Sequence, residues 1–191
     1  FAGSKAVFQP LGFLDPDGFG PVIAYGISGD GNVVVGEANS TTGFQAFRWT
    51  QTEGIVGLGA FPNPGGLPSS SGRACSIDGS VIVGASMLPD SLDEQGSPFR
   101  WTQATGLLFL GRLGGSSGGV AHDVSSDGSV IVGNAMLPGS QTRAFRWTAS
   151  GGMQSLGVLP GATSSVATGV SADGSRVVGA SGRAFVTLPS L

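Results

Sequence analysis

The chain has 191 residues, enough for one domain with a full core. Charged residues make up only 11%, the net charge is −3 and Lys5 is the sole lysine, so no basic face is available for nucleic acid or an anionic membrane surface. No stretch nears the roughly twenty apolar residues that span a bilayer, and a single cysteine builds no disulfide framework.

The first apolar element is Val7-Phe8-Gln9-Pro10-Leu11-Gly12-Phe13-Leu14, a lone strand ending in Leu-Gly-x-Leu. A unit that recurs four times follows. Its mark is Ser-x-Asp-Gly before a small apolar run closed by Gly: Ser28 to Gly31 before Val33 to Gly36, Ser76 to Gly79 before Val81 to Gly84, Ser125 to Gly128 before Val130 to Gly133, and Ser171 to Gly174 before Val177 to Gly179. The aspartates Asp30, Asp78, Asp127 and Asp173 are 48, 49 and 46 positions apart. Self-similarity on that scale marks propellers and stacked arrays.

Within the third unit, Ala121 to Ser125 reads as a strand and Asp127-Gly128 as a hairpin turn of the type with two positive-φ residues. Val130-Ile131-Val132 runs apolar on consecutive positions, as a strand covered on both faces does. A polar loop with Pro138-Gly139-Ser140 follows, then the aromatic strand Ala144 to Thr148 and a fourth strand, Met153 to Gly157. The other units align on Phe47-Arg48-Trp49-Thr50, on Phe99-Arg100-Trp101-Thr102, and on Leu58-Gly59 and Leu110-Gly111. Pro89 to Gly96 is an insertion between the second and third strands of the second unit. The last unit offers three strands, Ala167 to Ser171, Arg176 to Gly179 and Arg183 to Thr187.

Four short antiparallel strands joined by tight turns form one propeller blade. The expectation is therefore an all-β, four-bladed β-propeller of four-stranded antiparallel blades. Residues 1–20 are the closing strand and linker, 21–66 the first blade, 67–115 the second, 116–161 the third, and 162–191 three strands of the fourth. The N-terminal strand would complete the fourth blade, either within one chain or in a neighbouring copy.

This pattern resembles the HAF-type repeat of bacterial secreted and surface proteins. The matching parts are Val/Ile-Ser-x-Asp-Gly-Ser-Val-Ile-Val-Gly, Ala-Phe-Arg-Trp-Thr and Gly-Met-x-x-Leu-Gly-x-Leu-Pro. The His of that family's His-Ala-Phe is Gln45, Ser97, Arg143 and Arg183 here. The resemblance implies an exported, non-catalytic repeat protein, extracellular or at the cell surface, without naming a substrate. Its expected partners are itself, through donation of the N-terminal strand into a head-to-tail filament, or components of the cell surface and matrix.

Chemistry-bearing residues are few. Each Asp-Gly turn brings one carboxylate, too few for calcium, so Asp30-Gly31, Asp78-Gly79, Asp127-Gly128 and Asp173-Gly174 read as structural turns. Arg48, Arg100 and Arg146 read as forks onto carboxylates or loop carbonyls, with stems over neighbouring rings. The repeated Phe and Trp read as inter-blade core, and Cys75 occupies the apolar slot of Ile27, Val124 and Val170. His122-Asp123 forms no triad, because adjacent strand residues point to opposite faces. No catalytic residue, metal site or cofactor is expected.

The units disagree most in their first strand, where Tyr25, Arg73, His122 and Thr168 share one position and Gly26, Ala74, Asp123 and Gly169 the next. If that strand is innermost, one of these rings lines a channel. Tyr25, Arg73, His122 and Asp123 are then the candidate ligand-binding residues of a small-ligand or glycan binder, with the Pro89 to Gly96 loop as a second place for such a site.

Overall fold

The computed structural model describes residues 7–64, 66–88 and 96–187. The first sheet holds β1 (Val22–Ile27), β2 (Val33–Ser40), β3 (Gly43–Thr50) and β4 (Gly54–Gly57). The second holds β5 (Ser70–Cys75), β6 (Ile82–Ser86), β7 (Ser97–Thr102) and β8 (Gly106–Phe109). The third holds β9 (Gly118–Val124), β10 (Val130–Leu137), β11 (Gln141–Thr148) and β12 (Gly152–Gly157), and the fourth β13 (Val166–Val170), β14 (Val177–Ala180) and β15 (Ala184–Val186). Each sheet is an antiparallel meander in chain order. The chain is thus all-β, and the only helical element among the described residues is a 3-10 turn at Pro138–Ser140.

The meander follows from the turns. Ser28 N–H donates to Val33 C=O, Val33 N–H donates to Ser28 Oγ, and Ser28 Oγ donates to Asp30 Oδ1. The same bonds recur at Ser76, Ser125 and Ser171. The expected turn with two positive-φ residues does not form. Only the glycine of each Asp-Gly pair has a positive φ, and its N–H bonds back to the Ser carbonyl. The turn therefore spans Ser to Gly, with its aspartate in ordinary conformation, because the Ser and Asp side chains close it without a second left-handed residue.

Sheets pack face to face in sequence order. Val33, Val35 and Ala46 of the first sheet meet Ile82, Phe99 and Trp101 of the second. Val81 and Val83 meet Ile131, Phe145 and Trp147, and Val130, Val132 and Ala144 meet Val177 and Phe185. Each of the first three sheets therefore has a trailing face, carrying the Val on either side of the central residue, and each sheet has a leading face carrying that central residue and the aromatics. In the fourth, Arg176 and Val178 take the trailing positions. This is why the strand reads apolar on consecutive positions. The first strands also pack on one another, β1 on β5, β5 on β9 and β9 on β13, which places them along the inner side of the array.

The turns form a second seam between sheets. Gly29 N–H donates to Ile77 C=O (2.8 Å), Ile77 N–H to Ser126 C=O (3.1 Å), and Ser126 N–H to Ala172 C=O (3.0 Å). Ser70 and Ser165 add buried clips. Each hydroxyl donates to a carbonyl of the preceding sheet's outer segment, Gly59 or Gly157, and accepts from Ala46 or Ala144 N–H.

The array is open. The first and last sheets do not pack together as the neighbouring pairs do. Val178 of the last trailing face is 46% exposed, whereas Val35, Val83 and Val132 at its position are at 0%. Ile27 of the first leading face is 62% exposed, against 6% for Val124. Nor does the N-terminal segment pair with β15. Residues 7–14 carry no strand, and Leu14 lies against Gly57 at the outer edge of the first sheet. Gly12 and Leu14 lie against Ile55 and Gly57 of the first sheet, away from the β15 edge, while Val7, Phe8 and Phe13 are exposed.

Candidate functional site

Every first strand carries a register shift at the same place, between Ala24 and Gly26, Gly72 and Ala74, Ala121 and Asp123, and Ala167 and Gly169. The extra residues are Tyr25, Arg73, His122 and Thr168, so one of the two rings read from the sequence consists of bulge residues. A bulge frees a side chain from strand alternation and turns it out of the sheet.

Three of these side chains gather. Arg73 lies over the Tyr25 ring, 4.4 Å from its centre, and the Tyr25 hydroxyl donates to Glu37 Oε1 (2.9 Å). His122 Nε2 donates to Asn134 Oδ1 (2.7 Å), and the positive charge of Arg73 acts on both the imidazole and the phenol. Burial pushes the His122 imidazole below its usual range, the Asn134 bond opposes this, and Arg73 adds to it. Partial burial and Glu37 hold the Tyr25 phenol above its ordinary value. Thr168, by contrast, is exposed on the last sheet, apart from any such bond.

Asp123 does not join the group. Its Oδ2 accepts from Val170 N–H (2.8 Å) and so ties the third sheet to the fourth. The candidate quartet thus resolves into Tyr25, Arg73 and His122 in one cluster, with Asp123 as an inter-sheet clip. His122 and Asp123 spend their polar atoms on different partners, Asn134 Oδ1 and Val170 N–H. Glu37 and Asn134 escaped the sequence reading. Both directly follow the Gly that ends the apolar run, where the other units have Ala85 and Ala180, and that variable position was the signal.

At the turns the carboxylates are saturated by their own loops. Asp127 Oδ1 accepts from Ser125 Oγ (2.6 Å), Ser129 N–H (3.0 Å) and Ser129 Oγ (2.8 Å). These bonds, the Ser125 hydroxyl first, hold its carboxyl at about 2, and Asp78 and Asp173 behave alike. Because the folded values lie below the ordinary 3.8, the turns stabilise the fold fully above about pH 4 and lose that stabilisation as pH falls towards 2. Replacing Asp78, Asp127 and Asp173 together by Asn should flatten the fall of Tm between pH 4 and 2. Melting curves of both proteins across that range test this, and parallel falls would refute it.

Arg48 pairs with Glu53 (2.5 Å), as expected of a fork onto a carboxylate. Phe47, Phe99 and Phe145 are fully buried between or within sheets. Cys75 is half-buried and its thiol is pushed up to about 11, chiefly by burial, so it carries no thiolate at neutral pH. Of the insertion Pro89 to Gly96, all but Gly96 lies outside the described residues.

No family model and no curated protein matches the sequence. Among solved structures, TolB from Acinetobacter baumannii aligns with a TM-score of 0.50 at 18% identity, over 80% of this chain and 36% of that one. A protein described as TolB from Agrobacterium tumefaciens aligns at 0.53 and 14%, over 85% and 55%. A puromycin hydrolase mutant aligns at 0.51 and 16%, over 87% and 29%. The chain thus spans between about a third and just over half of these structures' length. At such identities the likeness concerns the fold alone, and it fits a β-propeller arrangement of blades.

Proposed function

We propose that the chain is a structural repeat module that assembles head to tail, the trailing face of its last sheet seating on the leading face of the first sheet of a second copy. The observation that carries this reading is the seat of the N-terminal segment. Leu14 rests on Gly57 of the first sheet as Phe61 rests on Phe109 of the second, at equivalent positions of the unit. Leu14 thus takes on the first sheet the seat that Phe61 of the preceding sheet takes on the second, which supports a place beside it for the last sheet of another copy.

Three further features support it. The turn seam ends in complementary groups, the Gly29 carbonyl at one end and the Ala172 N–H at the other. A Cβ at Gly31 would meet open space, whereas Gly79, Gly128 and Gly174 each meet a Val of the sheet before. The residue that would face Gly31 of the second copy is Arg176, beside the carboxylate of Asp30, opposite in charge. The uncovered Val178 and Ile27 supply the apolar part of the contact. The resemblance to exported repeats supports an extracellular or cell-surface setting, with surface or matrix components as further partners.

The test uses two single-face variants, Val178→Asp and Ile27→Asp. The unaltered chain should give concentration-dependent oligomers in sedimentation velocity. Each variant alone should lose self-association at least about tenfold, since a buried unpaired charge costs several kcal/mol. An equimolar mixture should form a one-to-one dimer through the two intact faces. An unaltered chain that stays monomeric at all concentrations, or a mixture that does, would overturn the proposal.

A further inference from the structure

The inner side of the array holds a cavity of about 440 Å³ at the second sheet, lined among others by Glu37, Ser71, Arg73, Ser86, Met87 and His122. That volume lies within the range of small-molecule sites. Among the described residues, two donors in its lining are unused. Ser71 Oγ and Arg73 Nε are both buried without a hydrogen-bond partner. A buried donor left without an acceptor is destabilising, the more so on a charged group, so such a pair in one cavity calls for an explanation. Arg73 is also without an ion pair among the described residues.

We infer that this cavity binds a small monocarboxylate, its carboxylate received by the Arg73 guanidinium and the Ser71 hydroxyl. The guanidinium fork matches two carboxylate oxygens. The bulge at Arg73 releases that side chain from the sheet, and stacking on Tyr25 holds it in place. The Glu37 carboxylate accepts the Tyr25 hydroxyl on the same wall and repels a second negative charge, which selects one carboxylate over two. Ala85, Met87 and Val120 give the remainder of the ligand an apolar wall. The site needs only the first three sheets and is independent of whether the chain self-assembles.

Benzoate, its neutral isostere benzamide and the dianion phthalate are the probes, titrated calorimetrically into the full chain. Benzoate should bind saturably at one site in the roughly millimolar range suited to so small a ligand. Benzamide and phthalate should each bind at least about tenfold more weakly, the loss of one charge-assisted contact or the gain of one repulsion. Arg73→Gln should weaken benzoate at least about tenfold with its circular dichroism unchanged, and Ser71→Ala should weaken it several-fold. Absence of saturable benzoate binding, equal affinity for benzoate and benzamide, or an unchanged affinity in Arg73→Gln would each overturn the inference. The benzoate and benzamide contrast needs only the unaltered chain, so it decides even if a variant fails to fold.

Discussion

Gly133→Ala should remove more than about 4 kcal/mol, a large share of the stability of an ordinary domain. Gly133 sits on β10, paired with Ala121 and Phe145. Its backbone is in an ordinary conformation, so the argument is not about φ. A Cβ there would collide with the Val120 carbonyl oxygen and would press on the Phe145 ring and the Ala121 Cα. None of the three can retreat. Val120 is held by the bulged β9, and Phe145 is fully buried. Gly36, Gly84 and Gly179 face the same collision with Ile23, Ser71 and Val166, which is why the apolar run ends in Gly in every unit. Gly139→Ala is the control: its φ is +75° but a Cβ would meet open space, so only the left-handed cost of about 1–2 kcal/mol is expected. Urea unfolding of the two variants checks both values, and a Gly133→Ala midpoint equal to that of the unaltered chain would refute the steric account.

Phe145→Ala should cost about 3–5 kcal/mol, the usual penalty for emptying a fully buried aromatic site. The side chain packs with Val81, Val83, Leu110, Ile131 and Trp147 at the joint between the second and third sheets. In an array held by nearest-neighbour interfaces, a cavity there weakens the coupling of two halves as well as total stability. The unfolding transition of Phe145→Ala should therefore broaden or split, in addition to moving down. Phe44→Ala, at a residue 40% exposed, should leave the transition sharp and nearly unmoved. A sharp, unshifted transition for Phe145→Ala would mean that the joint is not an element of cooperativity.

Much of this was legible beforehand because the unit repeats. The recurrence of Asp-Gly turns, consecutive valines and the Phe-Arg-Trp strand gave the meander order and the all-β class, since each rests on local chemistry: a turn closed by its own Ser and Asp, and a strand covered on both faces. Asp30, Asp78, Asp127 and Asp173 each accept the hydroxyl of the Ser two positions before. Asp-Gly alone does not reveal that the preceding Ser also closes the loop, so the turn it suggests differs from the one formed.

The inner cluster was half legible. Disagreement among units pointed to Tyr25, Arg73 and His122, but nothing local shows that these are bulge residues, because a bulge is defined by pairing with another strand. Asp123 was grouped with them by its place in the chain and parted from them by a backbone N–H 47 positions away.

The sequence by itself determined the repeat, its turns, its strand order and its buried faces, since these depend on residues within one unit of about fifty. Only the tertiary structure decided whether the ends meet. The angle between sheets is set by how each trailing face of valines seats on the next leading face of aromatics, a property of two units together that no single unit encodes. That seating leaves Ile27 and Val178 uncovered and places Leu14 on Gly57.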